Sequence, residues 1–329
     1  MRQLAAGELA AWPIAPGDIY WRKADGKKLR LRRAGDLLDA AWLAKFAPRE
    51  DLWLEPVAKV EAVNVLALKL KAWCEATDPK LFIKAREDFA ESLRRGLRST
   101  TELSLLDWAL VCHRSFKFDE QVVREFQEKH IVLYRRGLLV SGLAVAFSLA
   151  CGYEDVAFLR EIYRTAWLLD LGLVDKRFSY WVALACQHEK ANPGAGDAFL
   201  KEKSASRDEL DLFLTHPELG HQRATTEFGA DYSFPELLGC ILNHHEKADG
   251  SGFPQGLSLS GLADWQTLVI LADHMVDYRE EILERNLAES FAHLWAAYLR
   301  QPLANLPVSD VIAKLKVWLN NTYNEEEAA

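Results

Sequence analysis

Cysteine is scarce in this sequence: five residues are scattered over 329 positions, and no two form a Cys-x-x-Cys pair. An odd, scattered set argues against a disulfide framework and against a zinc knuckle built from cysteine pairs. The start of the chain has no apolar stretch of signal-peptide length, so the sequence predicts a protein of the reducing cytoplasm. The pattern G-x-x-x-x-G-K is also missing, which leaves hydrolysis of nucleoside triphosphates without support.

An excess of positive charge is missing too. The chain has 40 Lys and Arg against 48 Asp and Glu, for a formal charge of −8. This balance argues against bulk electrostatic binding to nucleic acid or to an anionic membrane surface, and we predict no nucleic-acid partner. Half of the residues are hydrophobic and 27% are charged, which is typical of a folded soluble protein.

Long apolar runs are limited to one candidate. Residues 137–153 form 17 positions without a charge, which is at the short limit for a membrane-spanning helix. The run contains serine and several glycines. We therefore interpret it as the buried helix of a helical domain and predict no membrane span.

The front of the chain carries a hairpin signal. Residues 18–23 and 27–33 flank an Asp25-Gly26 step, a strong short-range indication of a β-hairpin. Residues 36–46 have helical spacing, and residues 51–55 suit a return strand. The sequence thus predicts a small α+β domain over residues 1–56. One face of the second strand is basic, which indicates a solvated face or, alternatively, a surface for phosphate or a partner. Its residues are Lys28, Arg30 and Arg32.

From residue 57 onward the pattern is helical. A hydrophobic stripe with helical spacing runs from Val60 to Cys74. We predict linking or packing helices over residues 57–129 and a helical domain over residues 130–329. No internal repeat and no Pro-, Gly- or Ser-rich linker interrupts this part.

Three polar motifs stand out in the second half of the chain. The first is HPELG at 216–220, the second is HHEKADGSGFP at 244–254, and the third is Asp273 at the end of LVILAD. Imidazoles and carboxylates together suit a transition metal such as iron, manganese, zinc or nickel. Gly250 and Gly252 indicate a tight loop after the histidine pair.

These motifs together resemble the HD-GYP family, bacterial phosphodiesterases of cyclic di-GMP within the larger HD superfamily. The resemblance covers about residues 130–300 and implies a mainly α fold, an HD-type helical bundle behind a small β-containing N-terminal domain. In this family the bundle holds two or three metal ions, and a metal-bridged hydroxide attacks the phosphodiester. Metal ions supply such a nucleophile near neutral pH and neutralise charge on the phosphoryl oxygens.

The resemblance also assigns a ligand loop. In the family, the loop that carries Gly-Tyr-Pro helps to hold the substrate, and Phe253 stands here for the tyrosine. The candidate ligand-binding residues are Gly250, Gly252, Phe253 and Pro254.

Matched residue by residue, the chain departs from the family at its central motif. The segment AWLLDLGL at 166–173 keeps Asp170. Leu169 stands where the family has the histidine of its His-Asp pair, and Leu173 stands where it has a lysine. Leucine offers no lone pair to a metal ion or to a phosphate.

Two further departures lie outside that segment. Counting along the preceding helix places Arg136 at the family's first metal-binding histidine, with His130 as a substitute six positions upstream. Thr267 stands where an arginine is expected before Asp273. Arginine is a permanent cation and does not ligate a metal at physiological pH.

The losses leave one incomplete metal centre. As the family arrangement implies, Asp170 bridges two metals, so one ion can still be held, whereas the second site keeps only Asp170 and Asp273. We hypothesise that Arg136 places its guanidinium near the missing cation and neutralises both carboxylates. One transition metal ion, an ion-free hydrogen-bonded cluster and a rebuilt multi-metal site remain as alternatives. The candidate metal ligands are Asp170, His216, His244, His245 and Asp273.

Two functions follow from the resemblance. The preferred one is a degenerate HD-GYP signalling protein, catalytically impaired, that acts by sensing a ligand such as cyclic di-GMP or through protein partners. The alternative is a metal-dependent cyclic di-GMP phosphodiesterase with an altered active site, in which Asp170 is the catalytic carboxylate. The Cys186-Gln187-His188-Glu189 stretch is interpreted as structural, because residues two apart on a helix point away from each other.

Overall fold

The fold is mainly α with one small antiparallel sheet near the N-terminus, which confirms the predicted fold class. The computed structural model describes residues 1–116, 118–174, 180–247, 249–258, 261–299, 313–315 and 317–318.

Contacts divide the chain into two units. Unit 1 comprises Met1–Arg135 and Glu284–Leu294, and unit 2 comprises Arg136–Leu283 with the described residues from Trp295 onward. Residues on both sides of position 56 fall into unit 1, so the predicted boundaries at 56 and 129 stay predictions.

The sheet of unit 1 has four strands in the order β1-β4-β2-β3. Its centre is the β2–β4 pair, in which Tyr20 lies opposite Trp53, and β2 also pairs with β3. The predicted hairpin and return strand are therefore both present, whereas the short β1 had no sequence signal. The strands are β1 (Arg2–Gln3), β2 (Gly17–Arg22), β3 (Lys28–Arg32) and β4 (Leu52–Pro56).

The edge strand β3 is exposed on both faces. Arg30 pairs with Asp18 at 3.0 Å on the basic face, and Leu29 on the other face keeps 47% of its surface exposed. The apolar core of the sheet instead lies along the inner strands, where Ile19, Leu52 and Leu54 are buried. The basic face is thus solvated at Lys28 and Arg30.

Helix α1 (Ala40–Phe46) is shorter than the predicted helix over 36–46. Asp39 forms its N-cap, because the carboxylate accepts a hydrogen bond from the Trp42 N–H. Asp36 instead accepts a hydrogen bond from the Arg33 N–H in the preceding turn. Competition by short acidic side chains for backbone donors explains the later start.

Helices of unit 1 pack around aromatic residues. Trp73 lies 5.7 Å from Phe89 and Phe89 lies 6.2 Å from Trp108, measured between ring centroids. All three are buried, so they join α2, α3 and α4 into one apolar core. The helices are α2 (Val60–Glu75), α3 (Pro79–Arg98), α4 (Leu105–Phe116) and α5 (Glu120–Lys129).

Helix α6 (Ile131–Ala150) contains most of the uncharged run. It is long and apolar enough to cross a membrane, but 94% of its apolar window is buried inside the protein, as predicted for a core helix. The remaining helices are α7 (Val156–Trp167), α8 (Leu171–Val174), α9 (Tyr180–Ala191), α10 (Ala195–Glu202), α11 (Arg207–Phe228), α12 (Gly239–Asn243), α13 (Asp264–Met275), α14 (Glu280–Ala288) and α15 (Phe291–Leu299).

Candidate functional site

The HPELG motif fixes one histidine through a proline inside a helix. Pro217 lies within α11 and has no N–H, so the carbonyl of Phe213 loses its helical partner. His216 takes that role, with Nδ1 lying 2.8 Å from the Phe213 oxygen. Because Nδ1 donates there, Nε2 of the neutral ring carries the free lone pair. The motif thus presents one imidazole nitrogen as a ligand.

The second motif does the same at the end of α12. This helix ends at Asn243, so the carbonyl of Ile241 in its last turn has no helical donor. The Nδ1 atom of His244 lies 2.8 Å from that carbonyl, which leaves Nε2 of His244 as the lone-pair atom. His245 then lies with its Nε2 only 3.1 Å from Nε2 of His216.

Two glycines bring Asp170 next to these histidines. A Cβ atom on Gly172 would lie 2.0 Å from the His216 carbonyl oxygen and 2.8 Å from the Gly220 nitrogen. Only glycine allows α8 to approach α11 this closely. The glycine of the Asp-Leu-Gly segment and the glycine of HPELG therefore act as a pair that positions Asp170.

Arg136 lies between the carboxylates of Asp170 and Asp273 in unit 2. Its Nη1 is 2.5 Å from Oδ2 of Asp170, and its Nη2 forms an ion pair with Oδ1 of Asp273. All three side chains are buried, at 1%, 5% and 0% exposure. This is the arrangement that the sequence hypothesis requires of Arg136. His130, the alternative, instead follows the end of α5.

Two functional residues were missed by sequence reasoning. Lys190 in α9 pairs with Oδ2 of Asp273 at 2.8 Å and donates to its carbonyl at 2.6 Å. The Tyr278 hydroxyl donates to Oδ1 of Asp170 at 2.9 Å. Its ring also lies against Arg136, 3.8 Å from ring centroid to guanidinium carbon. Lys190 follows Gln187, His188 and Glu189, so its surroundings in sequence resemble those of a surface lysine.

The electrostatics follow from burial and from these ion pairs. Burial raises the pKa of Asp170 and of Asp273, but the neighbouring groups, with Arg136 the largest contributor among them, together outweigh it and lower both pKa values. Burial lowers the pKa of His216 to about 4 and also lowers the pKa of His244 and His245. The centre is therefore an ionised network of carboxylates and cations beside neutral imidazoles.

A pair of metal ions does not fit these residues. Both oxygens of Asp273 face a cation, from Arg136 and Lys190. The oxygens of Asp170 face Arg136 and Tyr278. A metal pair would have to displace these donors and would then lie beside a permanent positive charge.

A single ion fits better. The ligand atoms of Asp170, His216 and His244 lie within 4.8 Å of one another. Among the described residues, the buried Nε2 atom of His244 has no hydrogen-bond partner, and it lies 4.0 Å from Oδ1 of Asp170. A second group, formed by Cys186, His216 and His245, also lies within 4.8 Å. Both groups use His216.

The predicted ligand loop adjoins the histidines. The ring of Phe253 stacks on His245, with 4.6 Å between centroids and 17° between planes. A Cβ atom on Gly252 would lie 2.4 Å from the His245 carbonyl oxygen, so glycine is required for this contact. Glu246 accepts from the N–H groups of Gln255 and Leu257. The loop is thus tied back onto the histidine segment.

The remaining predicted positions are apolar or turned inward. Leu169 and Leu173 are buried, with 1% and 0% exposure. The Thr267 hydroxyl donates to the carbonyl of Asp264 within its own helix. These positions therefore supply no cation and no ligand to the centre.

Comparison with known proteins yields few matches. No protein-family model matches the chain. Over 121 residues the chain is 29% identical to the cyclic di-GMP phosphodiesterase response regulator RpfG of Xanthomonas campestris pv. campestris (strain 8004). This match covers 36% of the chain and 31% of that relative, so it spans less than a third of the relative's length.

A solved structure is also similar, that of Bd1817, an HDG"Y"P protein from Bdellovibrio bacteriovorus. It is 15% identical, with coverage of 92% of this chain and 94% of that one and a TM-score of 0.39. The motifs at 216–220 and 244–254, together with the alignment to the Xanthomonas phosphodiesterase, support a place for the chain in the HD-GYP branch of the HD superfamily.

Proposed function

We propose that this protein is a catalytically impaired HD-GYP signalling protein of the cytoplasm that acts through protein partners. The observation that carries the proposal is the position of Arg136, which bridges Asp170 and Asp273. A guanidinium neutralises the two carboxylates as a metal ion would. Unlike a metal ion, it cannot accept a lone pair from a water oxygen, so it cannot activate water. The centre then stabilises the bundle without generating a nucleophile.

Lys190 completes the substitution of organic cations for metal. Arg136 and Lys190 together bring two positive charges to two buried carboxylates. Burial and the nearby Arg136 lower the pKa of Lys190 to about 8, so the ammonium form still dominates at neutral pH. Two buried carboxylates without such partners would be costly, because an uncompensated charge in a protein interior destabilises the fold.

The acidic groove along α11 does not suit a nucleotide. A cavity of about 820 Å³ lies along the first half of α11, and Asp208, Glu209 and Asp211 line it. Cyclic di-GMP carries two phosphates, so acidic side chains at this position repel it. The loop at Gly252 and Phe253 remains the candidate contact for a guanine base, through stacking rather than charge.

An assay of cyclic di-GMP hydrolysis tests the proposal. We expect the wild-type protein with added Mn²⁺ or Fe²⁺ to form no more linear product than a metal-free control. Arg136→His combined with Leu169→His restores two imidazoles at the family's ligand positions. This double variant should gain metal-dependent hydrolysis by at least about a hundredfold, because metal activation of water contributes several kcal/mol.

The matched control is Leu169→His alone, which adds one imidazole but keeps the guanidinium. It should stay inactive. Metal-dependent hydrolysis by the wild-type protein that disappears in His245→Ala would contradict the proposal.

That outcome would instead support the second candidate, a metal-dependent phosphodiesterase with an altered site. One observation favours this candidate: within the part of the chain that the structure describes, the buried Nε2 of His244 has no hydrogen-bond partner, and it lies 4.0 Å from Oδ1 of Asp170. In that case Asp170, His216 and His244 would hold an ion, and the ion would supply the activated water. His245 and Asp273 would support these ligands from the neighbouring positions.

A further inference from the structure

A second group of metal-binding side chains lies beside the family centre and includes a residue outside every family motif. Cys186 in α9, His216 in α11 and His245 after α12 bring one sulfur and two nitrogens within 4.8 Å of one another. All three are buried, with 0%, 0% and 3% exposure. We propose that these three side chains form a zinc-binding site.

The two imidazoles already have the spacing of ligands on one ion. Their Nε2 atoms are 3.1 Å apart. Nitrogens on a tetrahedral zinc ion lie about 3.4 Å apart, given zinc–nitrogen bonds of about 2.0–2.1 Å. A shift of a few tenths of an ångström therefore makes room for the ion. His216 is held ready by Phe213, since its Nδ1 donates to that carbonyl and leaves Nε2 as the ligand atom.

Charge distinguishes this group from the one that contains Asp170. The carboxylate of Asp170 is paired with Arg136 and accepts the Tyr278 hydroxyl. A divalent cation there would lie next to a guanidinium and would have to replace a hydrogen bond. Cys186 instead enters as a neutral thiol and gains negative charge only when it binds the ion. Burial raises the pKa of the Cys186 thiol, and Lys190 and Arg136 lower it, so these cations act on this group as well. The difference is that binding here creates a new anion, the thiolate.

The proton balance is simple. The Cys186 thiol releases one proton to solvent as its sulfur bonds to zinc. His216 keeps its Nδ1 proton, and His245 moves its ring proton from Nε2 to Nδ1 so that Nε2 can bind. Thiolate and imidazole together suit zinc, and three protein ligands leave one tetrahedral position open. Zinc at this point would tie α9 and α11 to the residues that follow α12.

Cobalt substitution tests the site without any enzyme assay. Bound metal is first removed with a chelator, and the protein is then titrated with Co²⁺. Cobalt(II) occupies zinc sites, and its absorption spectrum depends on the atoms that bind it. We expect one equivalent to bind, with a near-ultraviolet sulfur-to-cobalt charge-transfer band and visible bands of tetrahedral intensity. Added Zn²⁺ should abolish both.

The variants assign the sulfur. Cys186→Ser and Cys186→Ala should lose the charge-transfer band. Cys112→Ser and Cys240→Ser are matched controls, because both cysteines are as fully buried as Cys186, and they should keep it. The double variant Cys74→Ser/Cys151→Ser removes the two partly exposed thiols and should keep it as well.

The control variants keep the test decisive even where a Cys186 variant fails to fold. If the charge-transfer band persists in each of the variants that lack the other cysteines, the bound sulfur belongs to Cys186. Cobalt bound without a sulfur band would place the ion on the Asp170 group and overturn the proposal, as would failure to bind one equivalent. The proposal does not depend on the proposed function, since a zinc site and the absence of hydrolysis are measured separately.

Discussion

Two consecutive arginines show how differently the two units treat a buried guanidinium. Arg135 in unit 1 and Arg136 in unit 2 are each 1% exposed. Arg135 pairs with Glu284, which is 43% exposed, and lies 3.6 Å from Asp36, which is 13% exposed. The partners of Arg136 are 5% and 0% exposed. Only the second arginine therefore belongs to a centre in which every charge is buried.

The comparison indicates that buried carboxylates need another cation once a metal ion is lost. Water can solvate the partners of Arg135 if the arginine is removed, so that ion pair is replaceable. The carboxylates of Asp170 and Asp273 are too deeply buried for water to solvate them, so they need cations beside them. A permanent cation at position 136 satisfies the same electrostatic demand as a metal, at the expense of its chemistry. Arg136 thus balances the two buried carboxylates and, in the proposed function, also explains the loss of activity.

The largest effect should come from removing the two guanidinium groups in turn. We expect Arg136→Met to lower the free energy of unfolding by about 3–5 kcal/mol, because it leaves buried carboxylates unpaired. Arg135→Met should cost less than half as much, since Glu284 is partly solvated. Urea unfolding followed by tryptophan fluorescence measures both.

Arg33→Met is the matched control for the loss of an exposed ion pair. Arg33 pairs with the same Glu284, and both side chains are more than two-fifths exposed. Its loss should cost at most about 1 kcal/mol. Equal losses for Arg135→Met and Arg136→Met would remove the distinction between the two units.

Acidification should be the next largest effect. His216 has a folded-state pKa of about 4 against an ordinary value of 6.5. Between these values the unfolded chain binds more protons than the folded one, so stability falls as the pH falls. Each such histidine lowers the free energy of unfolding by about 1.4 kcal/mol per pH unit in this window. Asp170 and Asp273, whose folded pKa values are depressed, add losses only below about pH 4.

Unfolding measured near pH 7 and near pH 5 tests this slope. His216→Gln should flatten it by about one proton. His113→Gln provides the comparison in unit 1, because burial lowers the pKa of His113 to about 4 as well. A wild-type protein whose stability does not change between these pH values would show that the imidazoles are not held neutral.

Much of the fold could be predicted because its signals are local. The Asp25-Gly26 turn marks the hairpin, and the uncharged run marks the core helix α6. The start of α1 was predicted too early, at residue 36. Asp36 accepts an N–H in the preceding turn, whereas Asp39 accepts one in the first turn of the helix and caps it, and the sequence does not distinguish these two roles. Strand β1 has only two residues, too few for a periodic pattern.

The site was predictable only where residues carry a motif. His216, His244 and Asp170 lie together because Pro217 and two glycines place them, and each of these is visible in the sequence. Lys190 and Tyr278 reach the centre through tertiary packing, and nothing in their neighbourhoods indicates burial. Cys186 was interpreted as structural because its neighbours on α9 point elsewhere, but its partners come from other elements.

The smallest effect compares two buried tyrosine hydroxyls. Tyr278 donates to the carboxylate of Asp170 at 2.9 Å, and Tyr134 in unit 1 donates to the neutral carbonyl of Gly35 at 2.7 Å. A hydrogen bond to a charged group contributes about 1.5–3 kcal/mol, and one between neutral groups about 0.5–1.5 kcal/mol. Tyr278→Phe should therefore cost more than Tyr134→Phe in urea unfolding, although the phenyl ring still covers Arg136. If the two variants lost the same stability, the negative charge of Asp170 would add nothing to the Tyr278 hydrogen bond, and Arg136 and Lys190 alone would balance that charge.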